Sequence, residues 1–317
     1  MPVFPKPQFL FDYNVAAEIK RLRAHKKKRG IPGHHRDRLL VATWNIANFG
    51  AQQRRDQDLS LIAEIISWFD LIAVQECREN FEDLFKVRAK LPEPFEILMS
   101  DASGNNERMV FVYNRRRLRV QDEIGEIAYP PSKYRSIKLP GVSLKFNGFD
   151  RTPYLAAYTF GGTPFVFTNV HLYFGSARKA SIHRRALETY AVAKWANLRR
   201  RSKITAHQEL VALGDFNMPR SEPGDPIYNA LTRLGLQLPE HSTQIASSIA
   251  TDANYDQIAF LPGTTKDTFT GLKGVFDFDG AIFPDLWQDG QNEADFKAYL
   301  RYYMSDHRPM WVQLHAA

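Results

Sequence analysis

Among 317 residues the only cysteine is Cys77, which excludes an intramolecular disulfide and points to a reducing compartment. No uninterrupted apolar stretch reaches the ~18 residues that a membrane-spanning helix requires, so no membrane partner is expected. Met1 to Tyr13 alternates prolines with aromatics and lacks the basic-then-apolar order of a secretory leader. A cytoplasmic address is therefore the expectation. No internal repeat recurs at a period of roughly twenty to fifty residues. Gly104 and the Gly161-Gly162 pair lack the spacing of a nucleotide-binding loop.

What is present is enough for a large core. Hydrophobic residues make up 44% of the chain, with 22 Phe, 13 Tyr and 5 Trp, which argues against wholesale disorder. The net charge of +7 favours polyanionic partners. Residues 1–37 stand apart as a basic N-terminal extension. Asn14 to Arg29 has helical character, and Lys26-Lys27-Lys28-Arg29 runs into Gly30 and Pro32, which stop the helix. Such a run either grips phosphates or forms a solvated tail.

From Arg38 onward, strand-like and helix-like segments alternate. Leu39 to Ile46, Leu71 to Val74, Val110 to Tyr113, Tyr154 to Phe160, Phe165 to Val170, Leu210 to Leu213, Ile258 to Phe260 and Pro309 to Leu314 read as strands. Gly161-Gly162 predicts a hairpin turn. Leu59, Ile62, Ile65, Ile66 and Phe69 recur at helical spacing, as do Leu187, Tyr190, Ala191, Trp195 and Leu198 within an arginine-rich stretch from Arg178 to Lys203. The absence of a regular βαβ rhythm argues for packed mixed sheets covered by helices.

Six polar signatures sit at the edges of these runs: Trp44-Asn45-Ile46, Gln75-Glu76, Asn169-Val170-His171-Leu172, Gly214-Asp215-Phe216-Asn217, Tyr255-Asp256-Gln257-Ile258 and Ser305-Asp306-His307-Arg308-Pro309. Their histidines, carboxylates and carboxamides form an inventory suited to phosphate-ester hydrolysis with a hard metal ion. Such an ester repels an attacking hydroxide and releases an alkoxide, and Mg²⁺ or Mn²⁺ held by one or two carboxylates answers both needs. Glu76 after an apolar strand is either a metal ligand or an exposed carboxylate opening a helix. Asn45 in an apolar run needs buried partners. Asp215 and Asn217 lie at period two on one face, or in a turn built on Gly, Asp and Asn. His171 at a strand end is either a functional imidazole or a satisfied core residue. His307 can accept a proton from water, and Asp256 is its natural carboxylate partner.

The ordered set resembles the endonuclease/exonuclease/phosphatase superfamily, with the greatest likeness to deoxyribonuclease I, over about residues 38–315. Asn48-Phe49-Gly50, Arg78, Glu107-Arg108, Arg151-Thr152-Pro153 and Phe276-Asp277-Phe278 extend the resemblance. It implies a four-layer αββα sandwich with two central mixed β-sheets, occupying 38–317. It also implies that Glu76, Asn45 and Asp306 surround Mg²⁺ or Mn²⁺, and that Asp215 and Asn217 orient phosphate, water or a second ion. By the same likeness His307 with Asp256 acts on water, and His171 with Glu107 acts on the leaving oxygen. Arg151 contacts phosphate, and Arg78 enters the DNA minor groove.

The activity implied is a metal-dependent phosphodiesterase, foremost an endonuclease on nucleic acid, with DNA the expected partner and a monomer the expected state. The alternative is the same chemistry on an inositol phosphate, sphingomyelin or an abasic site. A third reading is a silent binding module, which has little need of a full catalytic set. The chain departs from the resemblance at Gln257, where an arginine is usual, and at Gly104-Asn105-Asn106, which lacks an aromatic that packs on DNA.

Overall fold

The computed structural model describes residues 3–92, 94–202, 209–240, 245–261, 268–288 and 293–316; Lys203, at the end of the arginine-rich stretch, lies outside them. Chain order runs α1 (Val15–Lys28), β1 (Arg38–Phe49), α2 (Asp56–Ile66), β2 (Leu71–Cys77), α3 (Glu82–Lys90), β3 (Phe95–Met99), β4 (Arg108–Asn114) and β5 (Arg119–Glu126). Then come β6 (Tyr154–Phe160), β7 (Thr163–His171), α4 (Lys179–Arg201), β8 (Glu209–Asp215), α5 (Pro226–Thr232), β9 (Asp256–Phe260), β10 (Phe269–Val275), α6 (Pro284–Gln288), α7 (Glu293–Tyr303) and β11 (Met310–His315).

The strands form two mixed sheets, ordered β10-β11-β1-β2-β4-β3 and β5-β6-β7-β8-β9. Their inner faces meet through Leu39, Val41, Leu71, Ala73 and Phe111 from one side and Tyr158, Phe167, Val211, Leu213 and Ile258 from the other. Alternate residues of β1 (Leu40, Ala42, Trp44 and Ile46) point outward instead, into a cluster with Leu59, Ile62 and Ile66 of α2 and Tyr299 and Leu300 of α7. On the far side, Val166, Leu210 and Ala212 pack against Ala186, Val192 and Ala193 of α4 and Ile227 of α5. Helices thus cover both sheets and the architecture is a four-layer αββα sandwich. Burial on both faces explains why the central strands read as unbroken apolar runs.

The predicted hairpin joins β6 to β7, with Phe160 paired to Thr163. Three strands escaped the sequence reading: β3, β5 and β10. Each lies at a sheet edge, where one side needs no partner and apolar alternation is weak.

Helix α1 begins at Asn14, whose side chain accepts a hydrogen bond from Ala17 N. It buries Leu22 in the α2 cluster. Its Glu18 Oε2 accepts from Phe283 N at 3.0 Å, and Arg23 pairs with Glu64 at 2.7 Å. From the basic run, Arg29 engages Asp277, and Lys26 Nζ lies 5.1 Å over the Trp68 ring. Lys27 and Lys28 are exposed. Among the described residues, no helix is long and apolar enough to cross a membrane.

Candidate functional site

Strand register brings half of the site together. His171 at the end of β7 pairs with Asp215 at the end of β8, and Asp215 pairs with Asp256 at the start of β9. Residues paired across neighbouring strands share a face, so one line across the sheet carries an imidazole and two carboxylates. The approach is tight at Gly214 (φ +140°), where a Cβ would lie 2.1 Å from Val170 O. Only glycine fits between β7 and β8 there.

The other sheet supplies Asn45 from β1 and Glu76 from β2. Gln75 is paired with Asn45 in the ladder, and the next residue, Glu76, adopts φ +63°. That left-handed turn breaks the strand's alternation, so Gln75 and Glu76 both serve the space between the sheets. Asn48 (φ +47°) and Asn217 (φ +51°) share this unusual geometry. Such strain costs ~1–3 kcal/mol per residue, and three of the five non-glycine residues with positive φ among those described border this centre. Glu76 is 1% exposed, so the helix-opening surface carboxylate is not what the chain builds.

The loop carrying Asp306 and His307 is stitched to β1. Ser305 Oγ donates to Asn45 O at 2.6 Å and accepts from His307 N at 3.0 Å, while Trp44 Nε1 donates to His307 O at 2.8 Å. Buried Arg54 adds bonds to Ala47 O (2.6 Å) and Met304 O (3.0 Å). Burial lowers this guanidinium to about 10, a cost offset only by its carbonyl partners and distant carboxylates. The sequence reading missed Arg54, because an arginine just before a helix looks like surface.

Asn45 Nδ2 lies at the centre, donating to Glu76 Oε1 and Asp215 Oδ2, each at 3.1 Å. Asn48 N donates to Glu76 Oε2 at 2.9 Å, and Asn217 N to Asp215 Oδ1 at 2.7 Å. His171 Nε2 faces the same centre, 3.9 Å from Glu76 Oε1 and 3.7 Å from Asp215 Oδ2. Its Nδ1 lies 2.9 Å from Glu107 Oε2, and Arg151 Nε donates to that same oxygen at 2.6 Å. Burial alone would raise Glu107, but His171 and Arg151 hold it well below the usual carboxylate range.

A second imidazole–carboxylate pair stands opposite. His307 Nδ1 is 2.7 Å from Asp256 Oδ2, in a buried position. Burial disfavours the imidazolium, yet Asp256, Asp215 and Asp306 together push His307 well above 6.5. Burial raises the Asp306 carboxyl, and the nearby Glu76 charge adds to the rise.

All eleven residues expected from the sequence are therefore described, and most of them converge. The two arginines are both held by groups of the protein. Arg151 is 3% exposed and is held by Glu107 and Asp150. Arg78 donates to Asn48 Oδ1 at 2.7 Å and to Asn105 O, and lies 3.5 Å from Glu107 Oε1. Gln257 bonds Asn254 O at 2.7 Å rather than facing the cleft. The basic residues of α4 are also largely engaged within the fold. Arg199 pairs with Glu123, Lys194 Nζ donates to Ser136 O at 2.7 Å, and Arg185 is 2% exposed.

Donor chemistry at this centre fits a hard divalent cation. Asn45 Oδ1 and Asp256 Oδ1 are buried oxygens with no hydrogen-bond partner among the described residues. Ligand atoms of Asp215, Asp256 and His307 lie within 4.8 Å of one another. His307 and Asp256 already share a short hydrogen bond, and Asn45 Nδ2 bridges Asp215 to Glu76, so the groups gathered there are carboxylates and a carboxamide of the kind such a cation takes. Cys77, next to Glu76, is buried, and burial raises its thiol far above its usual range.

No family model and no curated protein matches the chain. Solved structures do. An endonuclease/exonuclease/phosphatase family protein from Bacteroides thetaiotaomicron superposes with TM-score 0.55 at 19% identity, over 88% of this chain and 98% of that one. A mannosyl-6-phosphatase from the same organism gives 0.54 at 18%, over 87% and 99%. D. rerio TDP2 in complex with a single-strand DNA product gives 0.57 at 14%, over 88% and 99%. The chain thus has the fold of endonuclease/exonuclease/phosphatase proteins.

Proposed function

We propose that this chain is a divalent-metal-dependent phosphoester hydrolase of the endonuclease/exonuclease/phosphatase superfamily, acting on nucleic-acid phosphodiesters. The observation that carries this reading is the meeting of two imidazole–carboxylate pairs, His307–Asp256 and His171–Glu107, around the Asn45, Glu76 and Asp215 oxygens. One such pair is common in a buried polar network; two that face one acidic centre support the reading of an enzyme.

Glu76, Asn45 and Asp306 would hold Mg²⁺ or Mn²⁺. A cation bound there would offset nearby carboxylate charge and neutralise charge on the substrate phosphate. Asp256 then fixes the His307 tautomer, so that its Nε2 can take a proton from the attacking water. Asp215 and Asn217 orient that water and a phosphate oxygen. His171, backed by Glu107, stabilises the leaving oxygen. Arg151 holds Glu107 in place, so its contribution to phosphate binding runs through that carboxylate.

Nucleic acid is favoured by what borders His307. The Tyr255 ring sits 5.9 Å from the imidazole, and the exposed Phe174 meets Tyr255 edge-on at 6.3 Å. An aromatic shelf beside a scissile phosphate suits stacking of an unpaired base. The similarity to a fold that holds a single-strand DNA product agrees with this reading.

A second reading, hydrolysis of a small phosphomonoester or of another lipid or sugar phosphodiester, has its own support. Many arginines near the cleft are engaged within the fold, and a mannosyl-6-phosphatase is equally similar in shape. The test is a substrate panel at graded Mg²⁺ and Mn²⁺. Single-stranded and duplex DNA, RNA, hexose 6-phosphate, inositol phosphates and sphingomyelin are compared by kcat/KM. A preference for oligonucleotides of at least tenfold supports the first reading, and the reverse preference overturns it in favour of the second.

A further inference from the structure

Helix α4 carries two buried charged residues that no catalytic role accounts for. Arg185 is 2% exposed and Glu188 is 0% exposed, and both lie on the face turned toward the site loops. Their partners are mostly backbone groups. Glu188 accepts from Asp150 N through Oε1 (3.2 Å) and from Tyr173 N through Oε2 (3.0 Å). Arg185 donates to Asn217 O (2.9 Å) and Ser176 O (2.8 Å). Arg184 closes the arrangement, stacking 3.8 Å over the Tyr173 ring and donating to Asp150 Oδ1 at 2.9 Å.

Each contacted segment leads directly to a proposed catalytic group. Tyr173 and Ser176 belong to the loop that leaves β7 just after His171. Asn217 follows Asp215 on the loop that leaves β8. Asp150 precedes Arg151, which donates to Glu107, which in turn lies 2.9 Å from His171 Nδ1. Removing charges from water costs several kcal/mol per ion, and apolar side chains of similar volume would often be no less stable there. What the charges supply instead is direction, because each fixes two backbone groups of different loops at once.

We propose that Arg185 and Glu188 are positioning residues that set the separation and orientation of His171 relative to the Asp215 centre. They act at second hand, Glu188 through Asp150–Arg151–Glu107 and through Tyr173, and Arg185 by tying the loop after β7 to the loop after β8. This rests on the phosphoester reading for its kinetic part only. A displacement of about 1 Å in such a site is enough to slow turnover roughly 100-fold.

The experiment uses the full chain. Glu188→Gln preserves shape but places an amide where two N–H donors converge. It is expected to lower kcat about 10- to 100-fold with KM changed less than about twofold. In a Glu107→Gln background the same substitution should cost several-fold less, because one of its two routes is already cut and only that through Tyr173 remains. In an Asp256→Asn background its full cost should remain. Equal losses in both backgrounds mean a merely structural residue and overturn the proposal. Arg185→Lys, which can reach only one of the two carbonyls, should also lower kcat with little change in KM. A second readout needs no turnover: imidazole ¹⁵N resonances of His171 should shift in Glu188→Gln while those of His307 stay in place. Unmoved His171 resonances overturn the proposal whatever the kinetics. If the wild type hydrolyses no phosphoester but the His171 shift is seen, the brace stands and the phosphoester reading falls.

Discussion

Gln75 Nε2 donates to Asn169 Oδ1 across 2.7 Å, joining the two sheets through a pair of buried amides. Asn169 Nδ2 completes the bridge by donating to Val74 O (3.2 Å) and Val110 O (3.1 Å). One residue after Gln75 comes Glu76, and two after Asn169 comes His171. The bridge therefore fixes how far apart a carboxylate of one sheet and an imidazole of the other can stand. Apolar packing between sheets is non-directional and would tolerate a slide; paired amides do not.

Replacing Asn169 by Ala would remove three buried hydrogen bonds, one from Gln75 Nε2, which keeps Thr43 Oγ1 at 3.0 Å, and two to the carbonyls of Val74 and Val110. Each lost hydrogen bond is worth ~0.5–1.5 kcal/mol, so urea unfolding should show a loss of about 2 kcal/mol or more. Activity should fall further than stability explains, because the register of Glu76 and His171 is released. A loss below about 1 kcal/mol would show that the bridge is not what holds the sheets.

Arg151 separates two roles by kinetics. The guanidinium holds Glu107, so Arg151→Lys is expected to lower kcat about tenfold while KM changes less than about twofold. A direct contact with substrate phosphate would show the opposite pattern, a raised KM with kcat preserved. Steady-state kinetics on one oligonucleotide decides between them.

The aromatic shelf makes a prediction about substrate. Phe174→Ala and Tyr255→Ala should each raise KM for a single-stranded oligonucleotide about fivefold or more, since stacking on one base is worth ~1–3 kcal/mol. The same substitutions should leave KM unchanged for an oligonucleotide whose base at the stacking position is missing. Equal effects on both substrates would remove the shelf from recognition.

How much of this was legible beforehand depends on the physical signal. Central strands such as β1, β2 and β8 announced themselves because both faces are buried. Polar residues interrupting those runs, Asn45 and Glu76 above all, marked the site because a buried polar group must be explained. Edge strands β3, β5 and β10 were invisible for the converse reason. Arg54, Arg185 and Glu188 were missed because a charged residue beside or within a helix is ordinarily solvated, and nothing local says that its partners are loop carbonyls and amides far away in the chain. The basic look of α4 is only partly a surface property, since Arg185 and Arg199 turn into the fold while Lys179, Arg200 and Arg201 are exposed.

Docking of α1 has a pH signature at Asp277. Burial alone would raise its carboxyl, but Arg29 and His25 outweigh burial and hold it below 3.8. A depressed folded value means that the stabilisation is fully present above the unfolded value and is lost as pH falls through the lower folded one. Wild type should exceed Asp277→Asn in stability by about 2 kcal/mol near neutrality. That difference should shrink as pH drops below about 4. Denaturant unfolding of both proteins across pH 3–7 measures it; a difference that grows on acidification would contradict the pairing.

The central claim is that His307, backed by Asp256, works on a phosphoester at a centre that holds a divalent cation. Its most direct measurement is the single-turnover rate on a 5′-labelled single-stranded oligonucleotide, for wild type and His307→Ala, before and after chelation and re-addition of Mg²⁺. The account predicts cleavage by wild type that stops with chelator and returns with Mg²⁺. It also predicts a fall of about 100- to 10,000-fold in His307→Ala, measured where its thermal unfolding shows the variant still folded. Cleavage that ignores the chelator, or a His307→Ala protein as fast as wild type, would contradict it.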